Sequence, residues 1–182
     1  HTIYTGRPAD TTSRLPKEIR TYDLLDSLGI AYARADHDTL PTMEACQEVG
    51  NLLGIEICKN LFLRNTQKTA FYLLILPGSK KFKTAALSKQ IGSARLSFAE
   101  PEFMEQYLNI TPGSVSVLGL MNDPENKVRL LIDKDILKNH PYFGCHPCIN
   151  TSSLKFRTED LLNKILPAIH HDYTMVDLPY AE

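Results

Sequence analysis

The chain has 182 residues, 43% hydrophobic and 23% charged, with a formal net charge of −1. That length supports one domain with a proper hydrophobic core, and the near-neutral balance excludes a general nucleic-acid coat, so any RNA contact must be local. No apolar run reaches the ~20 residues that span a bilayer, and four cysteines without a dense framework fit a reducing cytoplasm.

Residues 1–14 are polar, with Gly6, Pro8 and a Thr-Thr-Ser run, and read as a loosely held arm ahead of a single domain over 15–182. Leu15 to Leu28 has the stripe of an amphipathic helix, with Pro16 in its first turn and Gly29 as its stop. Ile30 to Ala35 is strand-like. Thr42 can cap a helix reaching Leu53 and ending at Gly54. Cys58–Arg64 and Thr69–Leu76 form a hairpin across a short polar turn, and Pro77-Gly78 leads the chain out.

Thr84–Ile91 and Glu100–Leu108 are short helices, the second opened by Pro101. Val115–Leu120 and Val128–Ile132 read as a second hairpin around Asn122-Asp123-Pro124-Glu125-Asn126. Asp133–Asn139 is a helix, Ser152–Phe156 a strand, Glu159–Leu166 a helix closed by Pro167, and Met175–Leu178 a last strand. Hairpin-linked strands mixed with helices, without a βαβ repeat, indicate α+β with a mixed or mainly antiparallel sheet.

Within the first hairpin, alternation puts Lys59 on the same strand face as Leu61 and Leu63. A lysine aimed at apolar neighbours is costly unless its ammonium reaches water, an acid or an anionic ligand. Lys59 also opens an acid-free window. From Ile57 to Ala99 there are eight lysines and arginines and no Asp or Glu, so everything outside it nets −9. A polyanion partner is one reading; a solvated face with chance clustering is the other.

Thr111–Gly119 places glycines on both sides of a strand-like stretch, where free N–H groups can hold an oxyanion or carbonyl; an ordinary strand between turns fits as well. Cys145 and Cys148 have the Cys-x-x-Cys spacing of zinc or redox sites, but a structural zinc wants four ligands and no second pair stands at suitable spacing. His146 between them can shuttle a proton or simply be a satisfied structural histidine. Ser116, His146 and Asp133 could be written as a triad, yet no nucleophile elbow surrounds Ser116. His37, between Asp36 and Asp38, follows a strand and could face a pocket or be a solvated loop residue. Phosphate-loop and dinucleotide fingerprints are absent.

Several motifs together resemble one family over about 140 residues. They are Asp36-His37 with Thr42-Met43-Glu44, Cys58-Lys59-Asn60-Leu61-Phe62-Leu63, Phe71-Tyr72-Leu73-Leu74, Leu87-Ser88-Lys89-Gln90, Pro112-Gly113-Ser114-Val115-Ser116, Gly119-Leu120-Met121-Asn122-Asp123 and Cys145-His146-Pro147-Cys148-Ile149-Asn150-Thr151. They are similar to the YbaK/ProXp superfamily, relatives of the editing domain of prolyl-tRNA synthetase. The Lys59-Asn60 pair and the Cys-His-Pro-Cys block resemble the ProXp-ala (PrdX) branch.

The resemblance implies an α+β domain with a mixed, barrel-like sheet flanked by helices, acting as a cofactor- and metal-free deacylase of Ala-tRNA(Pro). Its partner would be the 3′ end of mischarged tRNA(Pro), with prolyl-tRNA synthetase a candidate companion and neither membrane nor DNA involved. By position, Lys59 matches the family lysine expected to hold a phosphate near the tRNA 3′ end, with Asn60 in support. Gly113, Ser116 and His146 fall at the reacting ester, and Thr42, Ser114, Val115, Gly119 and Asn150 around the substrate. Val117 stands where relatives often carry Pro, which leaves Ser or Cys as alternative amino acids. A binding regulator that keeps the pocket without turnover is the other class.

Overall fold

The central hairpin organises the molecule. In the computed structural model, which describes residues 2–180 and only the backbone of Met43, β3 (Cys58–Asn65) pairs antiparallel with β4 (Phe71–Pro77). β4 has no polar face. Phe71, Leu73 and Ile75 point into the larger core, while Leu74 and Leu76 point into a second cluster with Leu63, Leu87 and Leu131. A strand buried on both faces is a central one.

Two sheets result. One is antiparallel, in the order β1 (Ile3–Thr5), β2 (Ala33–Asp36), β8 (Ser152–Arg157), β7 (Tyr142–Cys145). The other is mixed, in the order β5 (Leu96–Phe98), β3, β4, β6 (Val128–Asp133), β9 (Tyr173–Val176), with β6 parallel to both β4 and β9. The larger core is shared by β4, β6, β7, β8 and the helix α1 (Pro16–Ser27). Helix α2 (Met43–Leu53) starts at Thr42, whose hydroxyl accepts from Ala45 N, and stops at Gly54 in the left-handed region, the two signals read from sequence. Helix α3 (Thr84–Ile91) covers the outer face of the mixed sheet through Leu87. Helices α4 (Pro101–Leu108) and α5 (Lys134–Asn139) follow, and a last helical stretch passes from α6 (Thr158–Asp160) through a π turn at Leu161–Ile165 into α7 (Leu166–Ala168).

Three expectations change. The barrel-like sheet is two open sheets; among the described residues neither closes. The strand expected at Val115–Leu120 is a 3-10 helix, Val117–Asn122, capped by Ser116, so the hairpin expected with Val128–Ile132 does not form. Its apolar run suits strand or buried helix equally by pattern, and tertiary packing decides. Asn122 donates to the Leu108 carbonyl, and a Cβ on Gly119 would come within 2.5 Å of Ile110 Cδ1. Finally, the polar segment 1–14 contributes edge strand β1. It also supplies Arg14, which donates to Glu18, Asp36 and Ser152.

Candidate functional site

Strand β5 pairs only with Leu63–Asn65 and leaves the first half of β3 without a partner on that side. Against this free edge lies a cavity of about 270 Å³. Leu40 and three α2 residues, Cys46, Val49 and Leu53, form one wall. Ile55, Ile57 and β3 from Cys58 to Leu61 form another, and Gly113, Val115, Gly144, Cys145, His146 and Ser153 complete it. Gly144 has a steric reason to lack a side chain: a Cβ would stand 2.1 Å from Ile55 Cδ1. The volume lies just under the ~300–1,000 Å³ of ordinary ligand pockets. It suits an amino acid rather than a whole nucleotide.

Strand parity determines what β3 offers this cavity. Ile57 O accepts from Gly78 N, toward the β4 side, whereas Phe62 O accepts from Ala99 N, toward β5. Main-chain groups alternate along a strand, so those of Asn60 point like those of Phe62, but at a level where β5 is missing. The Asn60 side-chain Oδ1 is also buried without a hydrogen-bond partner, the only such side-chain atom among the described residues. A buried unsatisfied acceptor costs ~1–3 kcal/mol and calls for an explanation such as a ligand.

Lys59 lies on the opposite face, the one sequence parity assigned it. Its ammonium donates to the Lys80 carbonyl at 2.8 Å and forms no ion pair with a described acid. Two of its three donors stay available. Lys80 differs completely. Its side chain is 2% exposed and reaches Asp133 and Asp177, each at 3.1 Å. Burial pulls the Lys80 pKa down, and bonds from Asp177 and Asp133 outweigh it, leaving a net rise.

His146 Nδ1 lies 2.8 Å from the Ser152 carbonyl. A carbonyl only accepts, so Nδ1 carries the hydrogen and Nε2 of the neutral ring keeps its lone pair. Burial lowers its pKa, the Ser152 bond opposes this, and His37 lowers it further. The His37 ring centre is 6.1 Å from that of His146, and His37 Nε2 meets Ser153 Oγ at 2.9 Å. His37 is thus half-buried beside the site rather than a solvated loop residue.

Of the sequence-derived site residues, Lys59, Asn60, Gly113, Val115 and His146 line the cavity together. Gly113 does so at φ +91°, with Asn150 Nδ2 3.2 Å from where its Cβ would be. The others stand apart. Ser116 is fully buried, and its hydroxyl accepts from Leu118 N to cap the 3-10 helix, so it is no nucleophile at the pocket. Gly119 packs against Leu108 and Ile110. Ser114 is buried and donates to the Thr111 carbonyl. Thr42 is engaged as the α2 cap, and Asn150 Oδ1 accepts from Leu40 N as a strut behind the wall.

The N–H groups expected for a carbonyl between Gly113 and Gly119 are partly used: Ser114 N donates to Thr111 O and Gly119 N to Ser116 O. Sequence reading missed the α2 wall and Leu40. The apolar stripe of α2 was visible, but nothing local says that it faces β3. Burial pushes the Cys58 and Cys148 thiols up to about 12 and raises Cys145 also, so all three stay protonated. No group of three or more His, Cys, Asp or Glu among the described residues could hold a metal.

The aminoacyl-tRNA editing domain model matches residues 37–164, a span containing every residue that lines the cavity. This chain belongs to that family. Its chemistry is hydrolysis of the ester that joins a wrong amino acid to tRNA, so the chain is a hydrolase. It is 32% identical over 154 residues to the prolyl-tRNA editing protein ProX of Acetoanaerobium sticklandii, covering 85% of this chain and 93% of that one. It is 28% identical over 142 residues to prolyl-tRNA synthetase associated domain-containing protein 1 of Bos taurus, covering 76% and 82%. Its fold matches a solved structure described provisionally as a trans-editing enzyme for prolyl tRNA synthetase. The TM-score is 0.64 at 16% identity, over 92% of this chain and 99% of that one. No described helix is long and apolar enough to cross a membrane.

Proposed function

We propose that this protein is a trans-editing deacylase that removes alanine from Ala-tRNA(Pro). The observation that carries the reading is Lys59: a lysine lining a small cavity, its ammonium held by one neutral carbonyl and by no described acid, so that it can take an anion. A synthetase pocket that accepts proline cannot strongly exclude alanine, because a few methylenes are worth only ~1–3 kcal/mol. A second site walled by Leu40, Val49, Leu53, Ile55 and Ile57 admits alanine and rejects the larger ring.

In this reading Lys59 holds a phosphate at the tRNA 3′ end. Asn60 meets the aminoacyl group, its main-chain N–H toward the ester carbonyl and its unsatisfied Oδ1 toward the α-ammonium. His146 Nε2 accepts from the attacking water or from the terminal ribose hydroxyl. The acceptor strand continues over Lys81, Lys83 and Arg95, cations that form no ion pair with described acids. Phe98, 58% exposed and edge-to-face with Phe82, offers a base a stacking face there. The four cysteines are free, which supports a cytoplasmic setting, where prolyl-tRNA synthetase would supply the substrate.

The test is deacylation of tRNA(Pro) charged separately with Ala, Ser, Cys and Pro. Release of Ala with Pro retained is expected. No release from any substrate overturns the enzymatic reading, and equal release of Pro overturns the size sieve. Ser153 and His146 give the cavity one polar pole, which makes Ser the second amino acid to examine.

A further inference from the structure

The structure assigns Lys80 as the positioning residue for Lys59. This rests on the reading of Lys59 as the phosphate anchor. Lys59 has a flexible four-carbon stem, and its ammonium is fixed by one contact, the Lys80 carbonyl at 2.8 Å. The place of that carbonyl is set by how residues 78–81 are held.

They are held from the far end of the chain. Lys80 N donates to Pro77 O and closes the turn. Lys81 N donates to Pro179 O, and Lys80 bridges antiparallel to Tyr180. The buried Lys80 ammonium then ties the turn to Asp133 on β6 and to Asp177, and lies 4.8 Å from the Tyr180 ring centre. Asp133 accepts from Leu178 N, and Asp177 is gripped by Gln90, which donates to its carbonyl and accepts from its N–H. Residues 177–180 line no part of the Lys59 cavity, yet they fix the one atom that orients Lys59.

A merely structural lysine would lower stability without acting through Lys59. A double-mutant cycle separates the two roles. With Lys59 present, Lys80→Met should lower deacylation of Ala-tRNA(Pro) by roughly ten- to a hundredfold, the range for one charged hydrogen bond. In a Lys59→Ala background it should cause no further loss among folded molecules. Equal losses in both backgrounds overturn the assignment.

Because Lys80→Met leaves Asp133 buried without its partner and can fail to fold, Asp177→Asn is the companion variant. Asp177 is 54% exposed, and Asp133 keeps Lys80. The same cycle should give a smaller loss that again vanishes without Lys59.

A second readout needs no catalysis. Labelling by an amine-reactive ester, read by mass spectrometry, should be faster at Lys59 relative to Lys81 in Asp177→Asn than in wild type. An unchanged ratio overturns the positioning role. A wild type that releases no alanine overturns the functional reading, while the labelling ratio still decides on Lys80.

Discussion

Lys59 and Lys80 touch each other and do opposite things. Lys80 is buried against two carboxylates and an aromatic ring, and nothing is left for a ligand. Lys59 is half-buried, holds only a peptide carbonyl and opens on a cavity. A buried charge is tolerable when it is paired and destabilising when its partner is lost; a charge given only a neutral acceptor keeps most of its capacity for an anion. Lys80 is a buried lock and Lys59 the proposed anchor, and each can be broken on its own.

Removing the lock should have the largest effect. Lys80→Met leaves Asp133 fully buried without its ion-pair partner, so stability should fall by about 3–5 kcal/mol, read as the denaturation midpoint at constant slope. A loss under 1 kcal/mol would mean that the pair contributes little and that the contrast with Lys59 is weak.

Removing the anchor should spare the fold and cost activity. Lys59→Ala should lower deacylation about a hundredfold, which corresponds to ~2.7 kcal/mol of transition-state binding. Its denaturation midpoint should move by no more than one ordinary hydrogen bond, ~1 kcal/mol.

A titration sharpens the polar pole of the cavity. The His146 pKa is lowered in the fold, chiefly by burial, so the unfolded chain binds this proton more readily. The stability contributed by neutral His146 is present above the usual histidine pKa near 6.5 and is lost as pH falls through the lowered folded value. His146→Asn, which keeps a donor to the Ser152 carbonyl, should flatten stability against pH in that window; an unchanged slope would show that the ring does not titrate as its burial requires.

The smallest effects belong to the exposed cations. Neutralising Lys81, Lys83 or Arg95 singly should weaken tRNA binding severalfold and reduce the dependence of log K on log salt by about 0.7–0.9 for each lost phosphate contact. Lys68→Ala is the control, because Lys68 already faces Glu100, and should leave the salt slope nearly unchanged.

Much of this was legible in the sequence, and what was not has identifiable causes. Lys59 was placed correctly because strand parity is a local property. The caps Thr42 and Gly54 are equally local. The basic window is less bare in the fold than in the sequence. Lys80 is neutralised by Asp133 and Asp177, while Arg64 and Lys68 share Glu100, whose pKa the Arg64 bond holds down at about 2. All three acids lie outside the window, so local charge did not equal surface charge.

Ser116 and Gly119 were assigned to the pocket from residue type and a family motif. In the fold, capping and close packing against Ile110 use them up. The α2 wall was missed for the complementary reason. Val49 and Leu53 lie on a helix whose sequence does not say what it faces, and only the fold brings them to the same cavity as β3.

The role proposed for Lys59 is to anchor a phosphate without doing the chemistry. The most direct measurement is single-turnover deacylation of Ala-tRNA(Pro) by wild type, Lys59→Ala and Lys59→Arg across a range of enzyme concentration. Lys59→Ala should lose most of its activity through weakened binding, and Lys59→Arg, which keeps the charge, should recover part of it. Undiminished hydrolysis by Lys59→Ala would rule out the anchoring role.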